Sequence, residues 1–188
     1  MKKTILCLTL IYSYFNIDID ARVLPQDVIW NNDETGYYTI DENSIVLVST
    51  IGKKDRKILS SEDVKNKKIE SFSFSQDKKN VLIFTNSVRV WRYNTRGNYW
   101  VYNLKTKQGK RLGSTLPDRS LMFAKFSPNG EKIAYVSKEI IPNSFRNSST
   151  RANIYLETVE GNSIVKLTES DEKGKIINGT FDWVYEEE

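Results

Sequence analysis

An eleven-residue pattern recurs in this chain at a nearly fixed distance, and the recurrence limits the possible folds sharply. Phe74-Ser75-Gln76-Asp77-Lys78-Lys79-Asn80-Val81-Leu82-Ile83-Phe84 aligns with Phe126-Ser127-Pro128-Asn129-Gly130-Glu131-Lys132-Ile133-Ala134-Tyr135-Val136, an offset of 52 from residue 74 to residue 126. A second unit follows each first one. Tyr99-Trp100-Val101-Tyr102-Asn103-Leu104 aligns with Asn153-Ile154-Tyr155-Leu156-Glu157-Thr158, an offset of 54 from residue 99 to residue 153. A degenerate earlier copy starts at Trp30-Asn31-Asn32-Asp33-Glu34-Thr35-Gly36-Tyr37-Tyr38 and continues through Ser44 to Lys54. A period of about 50 residues made of four short strands marks a propeller blade.

The local pattern agrees. Past residue 25 there is no stretch of helical periodicity, only short apolar or alternating runs between turn residues. Ser44 to Ile51, Asn80 to Thr85, Asn98 to Leu104, Lys132 to Ser137 and Asn153 to Val159 are expected to be strands. Turn signals such as Pro128-Asn129-Gly130 and Glu160-Gly161-Asn162 separate them. The expected fold is all-β, a partial propeller with blades at 28–65, 69–115 and 120–170 and a fourth beginning near Asn178. The competing architecture is an irregular β-sandwich. Ser137 to Ala152, rich in Asn and Ser, is expected to be a long surface loop of low order interrupting the third blade. About three and a half blades do not close a ring, and open end blades expose strand edges and uncovered faces. The chain is therefore expected to be the amino-terminal part of a longer protein.

Composition removes several chemistries. With no histidine and a single cysteine, Cys7, the chain has no Ser-His-Asp or Cys-His group, no internal disulfide and no Cys-based zinc site. The formal net charge is +4, but Lys53-Lys54, Lys67-Lys68, Lys78-Lys79 and Lys105/Lys107/Lys110 fall in polar stretches, as loop lysines do. Nucleic-acid binding needs a clustered stripe, so no nucleic-acid partner is expected. At the amino terminus Lys2-Lys3 precedes a mostly apolar Thr4 to Phe15, too short to span a bilayer but suited to a signal core. Residues 1–21 are expected to be a signal peptide and the protein periplasmic or secreted; a buried first strand is the alternative. Asn147-Ser148-Ser149 and Asn178-Gly179-Thr180 match the glycosylation sequon, a triplet common by chance.

The carboxyl end carries the most pointed chemistry. Phe181-Asp182-Trp183-Val184-Tyr185 leads into Glu186-Glu187-Glu188. Aromatics want burial, so carboxylates attached to them are expected to be held against a wall rather than free in solvent. Carboxylates crowded in a low-dielectric site repel one another, and a cation such as an ammonium relieves that strain. The plain alternative is an exposed acidic terminus.

This motif, with Asn178-Gly179-Thr180 before it, resembles the double-glutamate motif of the dipeptidyl peptidase IV family of serine exopeptidases, in the prolyl oligopeptidase clan. Val90-Trp91-Arg92-Tyr93 through Leu104 is similar to that family's Trp-Arg segment and the strand after it, and Phe126 to Val136 to its blade repeat. The resemblance covers residues 28–188. It implies an eight-bladed propeller capping an α/β-hydrolase domain that supplies Ser, Asp and His. It implies removal of amino-terminal dipeptides with Pro or Ala second. Glu187 and Glu188 would bind the substrate's α-ammonium, and Arg92 would contact a backbone carbonyl of the dipeptide and help set the glutamates. No metal or organic cofactor is implied. The implied partners are the peptide's amino terminus, the hydrolase domain and, at full length, a second copy. Trp91, Trp100, Trp183 and Tyr185 are expected to pack rather than to touch ligand.

Two departures stand beside the resemblance. No Gly-x-Ser-x-Gly elbow occurs in these 188 residues, so they cannot perform the family's chemistry alone. The insert at Ser137 to Ala152 is also longer than the family pattern. A non-catalytic binding propeller or an inactive peptidase homologue is the alternative function.

Overall fold

The computed structural model describes residues 28–65, 67–90, 93–140, 150–170, 176 and 178–180. The expected signal peptide, the Asn147 sequon and nearly all of the expected fourth blade lie outside them. Between turns and loops, the regular elements of the described residues are β-strands, with one 3-10 turn at Ser61–Val64. β1 (Ile29–Trp30), β2 (Gly36–Asp41), β3 (Ser44–Ser49) and β4 (Arg56–Ser60) form one antiparallel meander. β5 (Ile69–Phe74), β6 (Asn80–Val90), β7 (Tyr93–Asn103) and β8 (Gln108–Arg111) form a second. β9 (Leu121–Phe126), β10 (Lys132–Ile140), β11 (Thr150–Thr158) and β12 (Ile164–Lys166) form a third. These are three four-stranded blades within the bounds expected from the repeat.

The repeat has a visible physical basis in the turn between the first two strands of a blade. In blade 2, Lys78 N–H donates to Ser75 O (2.8 Å), Ser75 Oγ donates to Asp77 Oδ1 (2.7 Å), and Asn80 N–H donates to Ser75 Oγ (3.0 Å). Blade 3 makes the same three bonds 52 residues on. Gly130 N–H donates to Ser127 O (2.9 Å), Ser127 Oγ to Asn129 Oδ1 (2.7 Å), and Lys132 N–H to Ser127 Oγ (3.0 Å). Serine opens both turns because its hydroxyl can donate forward while accepting a later N–H. The third turn residue after it takes positive φ, 54° at Lys78 and 72° at Gly130.

Packing between blades explains why the second and third strands are apolar on both faces. Val81, Ile83, Trp100 and Tyr102 point towards blade 1 and share a core with Ile45, Leu59 and Val64. Their neighbours Leu82 and Val101 point the other way, into a core with Leu121, Ile133, Tyr135 and Tyr155 of blade 3. A strand sandwiched between two sheets loses the half-polar alternation of a surface strand. Trp100 is 8% exposed, so it packs, as expected.

Two expectations are corrected. The flanks of the supposed surface insert are strand, because Ser137 pairs with Asn153, Lys138 with Ala152, Glu139 with Arg151 and Ile140 with Thr150. Ser137 and Asn153 are accommodated there because their buried side chains find hydrogen-bond partners in Ser120 and Ser170. Lys110 is not a loop lysine either: it lies in β8, and its ammonium meets the buried Glu157 carboxylate at 3.1 Å.

Candidate functional site

Arg92, Glu187 and Glu188 lie outside the described residues, so what can be built from the residues upward is the frame around them. On one side the described chain ends with the pair Val90↔Tyr93, which flanks residues 91 and 92. On the other, Asn178, Gly179 and Thr180 are the last described residues before Phe181 to Glu188.

The first part of the frame is an arm. β6 and β7 are each 11 residues long, about twice the usual strand, so their hairpin runs on past the blade. At its base Thr85 pairs with Asn98 and the next described pair is Val88 with Arg96, so β6 takes three steps while β7 takes two. That is a bulge, and Asn86 within it has φ 56°. The carbonyls of Asn86 and Ser87 accept from Arg119 Nε (3.2 Å) and Nη2 (3.0 Å). The Ser87 N–H donates to Glu70 Oε1 at 2.7 Å. Gly97 on the other strand pairs with Leu121 and joins blades 2 and 3. A Cβ there would lie 2.6 Å from the Phe84 ring and 2.8 Å from Thr85 O, so glycine is required.

The second part is a run of polar contacts from that arm across blade 3. Buried Asn98 receives the Arg119 N–H (2.9 Å) and donates to Asp118 Oδ1 (2.9 Å), and Asp118 faces Arg111 Nη1 at 3.6 Å. Ser120 and Ser137 share a buried hydroxyl bond of 2.9 Å. Asn153, 3% exposed, donates to Ser170 Oγ (3.1 Å) and accepts from Asn178 Nδ2 (3.2 Å). Asn178 N–H donates to Ala152 O (3.3 Å), and Gly179, at φ 73°, sits where a Cβ would clash with Val136 and Ile154. Gly97 pairs with Leu121, Leu121 with Ser137, Ser137 with Asn153, and Asn153 bonds Asn178. The base of the arm and the lead-in to the acidic motif therefore occupy the same end of the blades, about four strand spacings of ~4.8 Å apart.

One cluster of titratable groups sits elsewhere. Glu157, 2% exposed, accepts from Lys110 Nζ at Oε1 (3.1 Å) and from Gly113 N–H (2.9 Å) and Tyr135 OH (3.0 Å) at Oε2. Lys110 also donates to Thr158 O (2.7 Å) and to Gly161 O. Burial, then the Glu157 carboxylate, pushes the Tyr135 phenol far up. Both Glu157 oxygens are thus taken up by donors from blades 2 and 3, which makes the cluster a tie across the joint between them. Arg119, Glu70 and Asn98 were not legible as part of a frame, because Asp118-Arg119-Ser120 looks like an ordinary polar connection and the three residues meet only through the fold.

Stacked four-stranded blades of this kind define a partial β-propeller. A model of the family described as dipeptidyl peptidase IV (DPP IV) N-terminal region matches residues 75–188. The chain belongs to that family. Among curated relatives, prolyl endopeptidase FAP of Homo sapiens is 30% identical over 159 residues, covering 85% of this chain and 19% of its own length. Dipeptidyl aminopeptidase B of Saccharomyces cerevisiae is 30% identical over 174 residues, covering 90% and 19%. The crystal structure of Porphyromonas gingivalis dipeptidyl peptidase 4 superposes with a TM-score of 0.65 at 22% identity, over 85% of this chain and 22% of that one. The chain thus spans about a fifth of the length of these relatives.

Proposed function

We propose that this chain is the amino-terminal propeller portion of a serine-type dipeptidyl peptidase, exported to the periplasm or secreted, and that it supplies the recognition half of the active site. Glu187 and Glu188 bind the free α-ammonium of a peptide, and Arg92 binds a backbone carbonyl of its first two residues. The Ser, Asp and His that cleave the bond belong to an α/β-hydrolase domain following in the same protein. Peptides with Pro or Ala second are the proposed substrates. The observation that carries the reading is the family match over residues 75–188, which includes both the Trp91-Arg92 segment and the acidic motif. The shared end of the blades for the β6–β7 arm and for Asn178 to Thr180 supports it.

The chemistry suits the task. An α-ammonium offers three donors and a full charge, so two carboxylates fix both its position and its orientation. Anchoring the amine sets how far the chain extends before it meets the nucleophile, which makes the product a dipeptide. A blocked or internal peptide would leave two desolvated carboxylates unpaired and is rejected for that reason. The planar guanidinium of Arg92 presents several donors in a rigid fork, a better match to a carbonyl than a lysine ammonium.

The test uses the complete protein. Each charge-assisted hydrogen bond contributes about 1.5–3 kcal/mol, so Glu187→Gln and Glu188→Gln should each lower kcat/KM for Gly-Pro-p-nitroanilide about 10- to 100-fold without loss of fold. Arg92→Ala should also lower it. Full activity of either glutamine variant would refute the site, as would equal cleavage of an amino-blocked substrate. A complete, folded protein with no hydrolytic activity would favour a binding propeller instead.

A further inference from the structure

We infer that Arg119 and Glu70 are positioning residues that set the direction of the β6–β7 arm, and through it the place of Arg92 in the proposed dipeptide site. The inference rests on the assignment of Arg92 above and deepens it. The bulge at Asn86 takes two successive carbonyls and one N–H out of the regular ladder, where they would otherwise be left to solvent. Arg119 spans both carbonyls with two donors of one guanidinium, at 3.2 and 3.0 Å, and Glu70 takes the Ser87 N–H at 2.7 Å. These anchors come from different elements: Arg119 from the connection between blades 2 and 3, Glu70 from β5. Arg119 also holds the second strand of the arm, since its backbone N–H donates to Asn98 in β7. A bare two-stranded ribbon is marginally stable and free to twist at a bulge. This one is tied on both strands and leans on blade 3 at Gly97↔Leu121.

The clamp matters for direction more than for stability. Arg119 is exposed, and its bonds to Asn86 and Ser87 are solvent-accessible, so little of the core depends on them. The lever is long, however. From residue 86 to residue 90, the last of β6, the strand advances about 13 Å at strand rise, so a swing of about 10° at the bulge moves that end by about 2 Å. A displacement of that size exceeds what a substrate-orienting group tolerates, since even 1 Å can cost about 100-fold in rate.

In the complete protein, Arg119→Ala and Glu70→Ala, each of which removes its anchor outright, should each lower kcat/KM for Gly-Pro-p-nitroanilide about tenfold, chiefly through KM, with the melting temperature nearly unchanged. Arg119→Lys should not restore the parent value, because one ammonium cannot span two carbonyls as the planar fork does. In an Arg92→Ala background, adding Arg119→Ala should change kcat/KM less than about twofold, the mark of residues acting through one another. Hydrogen exchange should quicken at Val88 and Arg96 in Arg119→Ala while Leu82 and Val101 stay protected. Unaltered exchange in the arm, or an equal Arg119→Ala loss with and without Arg92, would overturn this inference alone. An Arg92→Ala protein of undiminished activity would overturn the Arg92 assignment and, with it, the role given to the clamp.

Discussion

Glu157 shows how one side chain can tie two blades. It lies in β11, while Lys110 and Gly113, two of the groups bonded to it, come from the far end of blade 2. Glu157→Ala would orphan the Gly113 N–H and the Tyr135 hydroxyl and leave Lys110 without its counter-charge. The expected cost is about 3 kcal/mol, at the low end for splitting a buried pair because the ammonium retains some solvent contact. A urea titration followed by tryptophan fluorescence measures it, and an unshifted midpoint would contradict the tie. Tyr102 carries a pH dependence. Burial, reinforced by its hydrogen bond to Asp63 Oδ1 at 3.1 Å, pushes its phenol up to about 12. The folded chain therefore holds this proton more tightly than the unfolded chain. The stability so supplied is complete below about pH 10 and is lost as pH rises towards 12. An alkaline titration read by tyrosinate absorbance should show a late component that appears only as circular dichroism reports loss of the sheets. Ionisation of every tyrosine with the sheets intact would contradict this.

Among elements, the central strands were legible in the sequence and the edges were not. Asn80 to Thr85 and Asn98 to Leu104 are apolar on both faces because each packs between two blades, and that density of apolar residues is a strong signal. β8 (Gln-Gly-Lys-Arg) and β4 (Arg-Lys-Ile-Leu-Ser) are short, polar edge strands held by backbone pairing to one neighbour, so composition hides them. The outer half of β6 was missed for a different reason: the bulge at Asn86 breaks the alternation that would have announced it. The acidic motif and Arg92 were singled out by their resemblance to a family pattern and lie outside the described residues. Glu70 and Arg119 were not legible, since they are linked to the arm by contacts 17 and 32–33 residues apart in sequence. Gly97 belongs to this scale. Gly97→Ala would drive a methyl into the Phe84 ring and the Thr85 carbonyl, at an expected cost of about 1–3 kcal/mol. A urea midpoint equal to that of the parent would show that the arm can yield there.

Across the whole molecule, the stacking of blades makes the contacts unequal. The joints between blades 1 and 2 and between blades 2 and 3 each bury a broad set of apolar side chains. Among the described residues, Met122, Val136 and Ala152 form a further, smaller cluster on blade 3, with Ile154 packed against it. Phe123, Val165 and Leu167 are about half exposed on blade 3. Expressed alone, the 188-residue chain should therefore self-associate, and a monodisperse monomer in sedimentation velocity would contradict that expectation. The central claim concerns the far end of the chain, where Glu187 and Glu188 are proposed to receive a peptide's amino terminus. A crystal structure of the complete protein with a bound dipeptide tests it most directly. The account predicts carboxylate oxygens of both residues about 2.7–2.9 Å from the ammonium nitrogen, with the Arg92 guanidinium on a dipeptide carbonyl. Carboxylates turned out into bulk water, with the amine held by other groups, would contradict it.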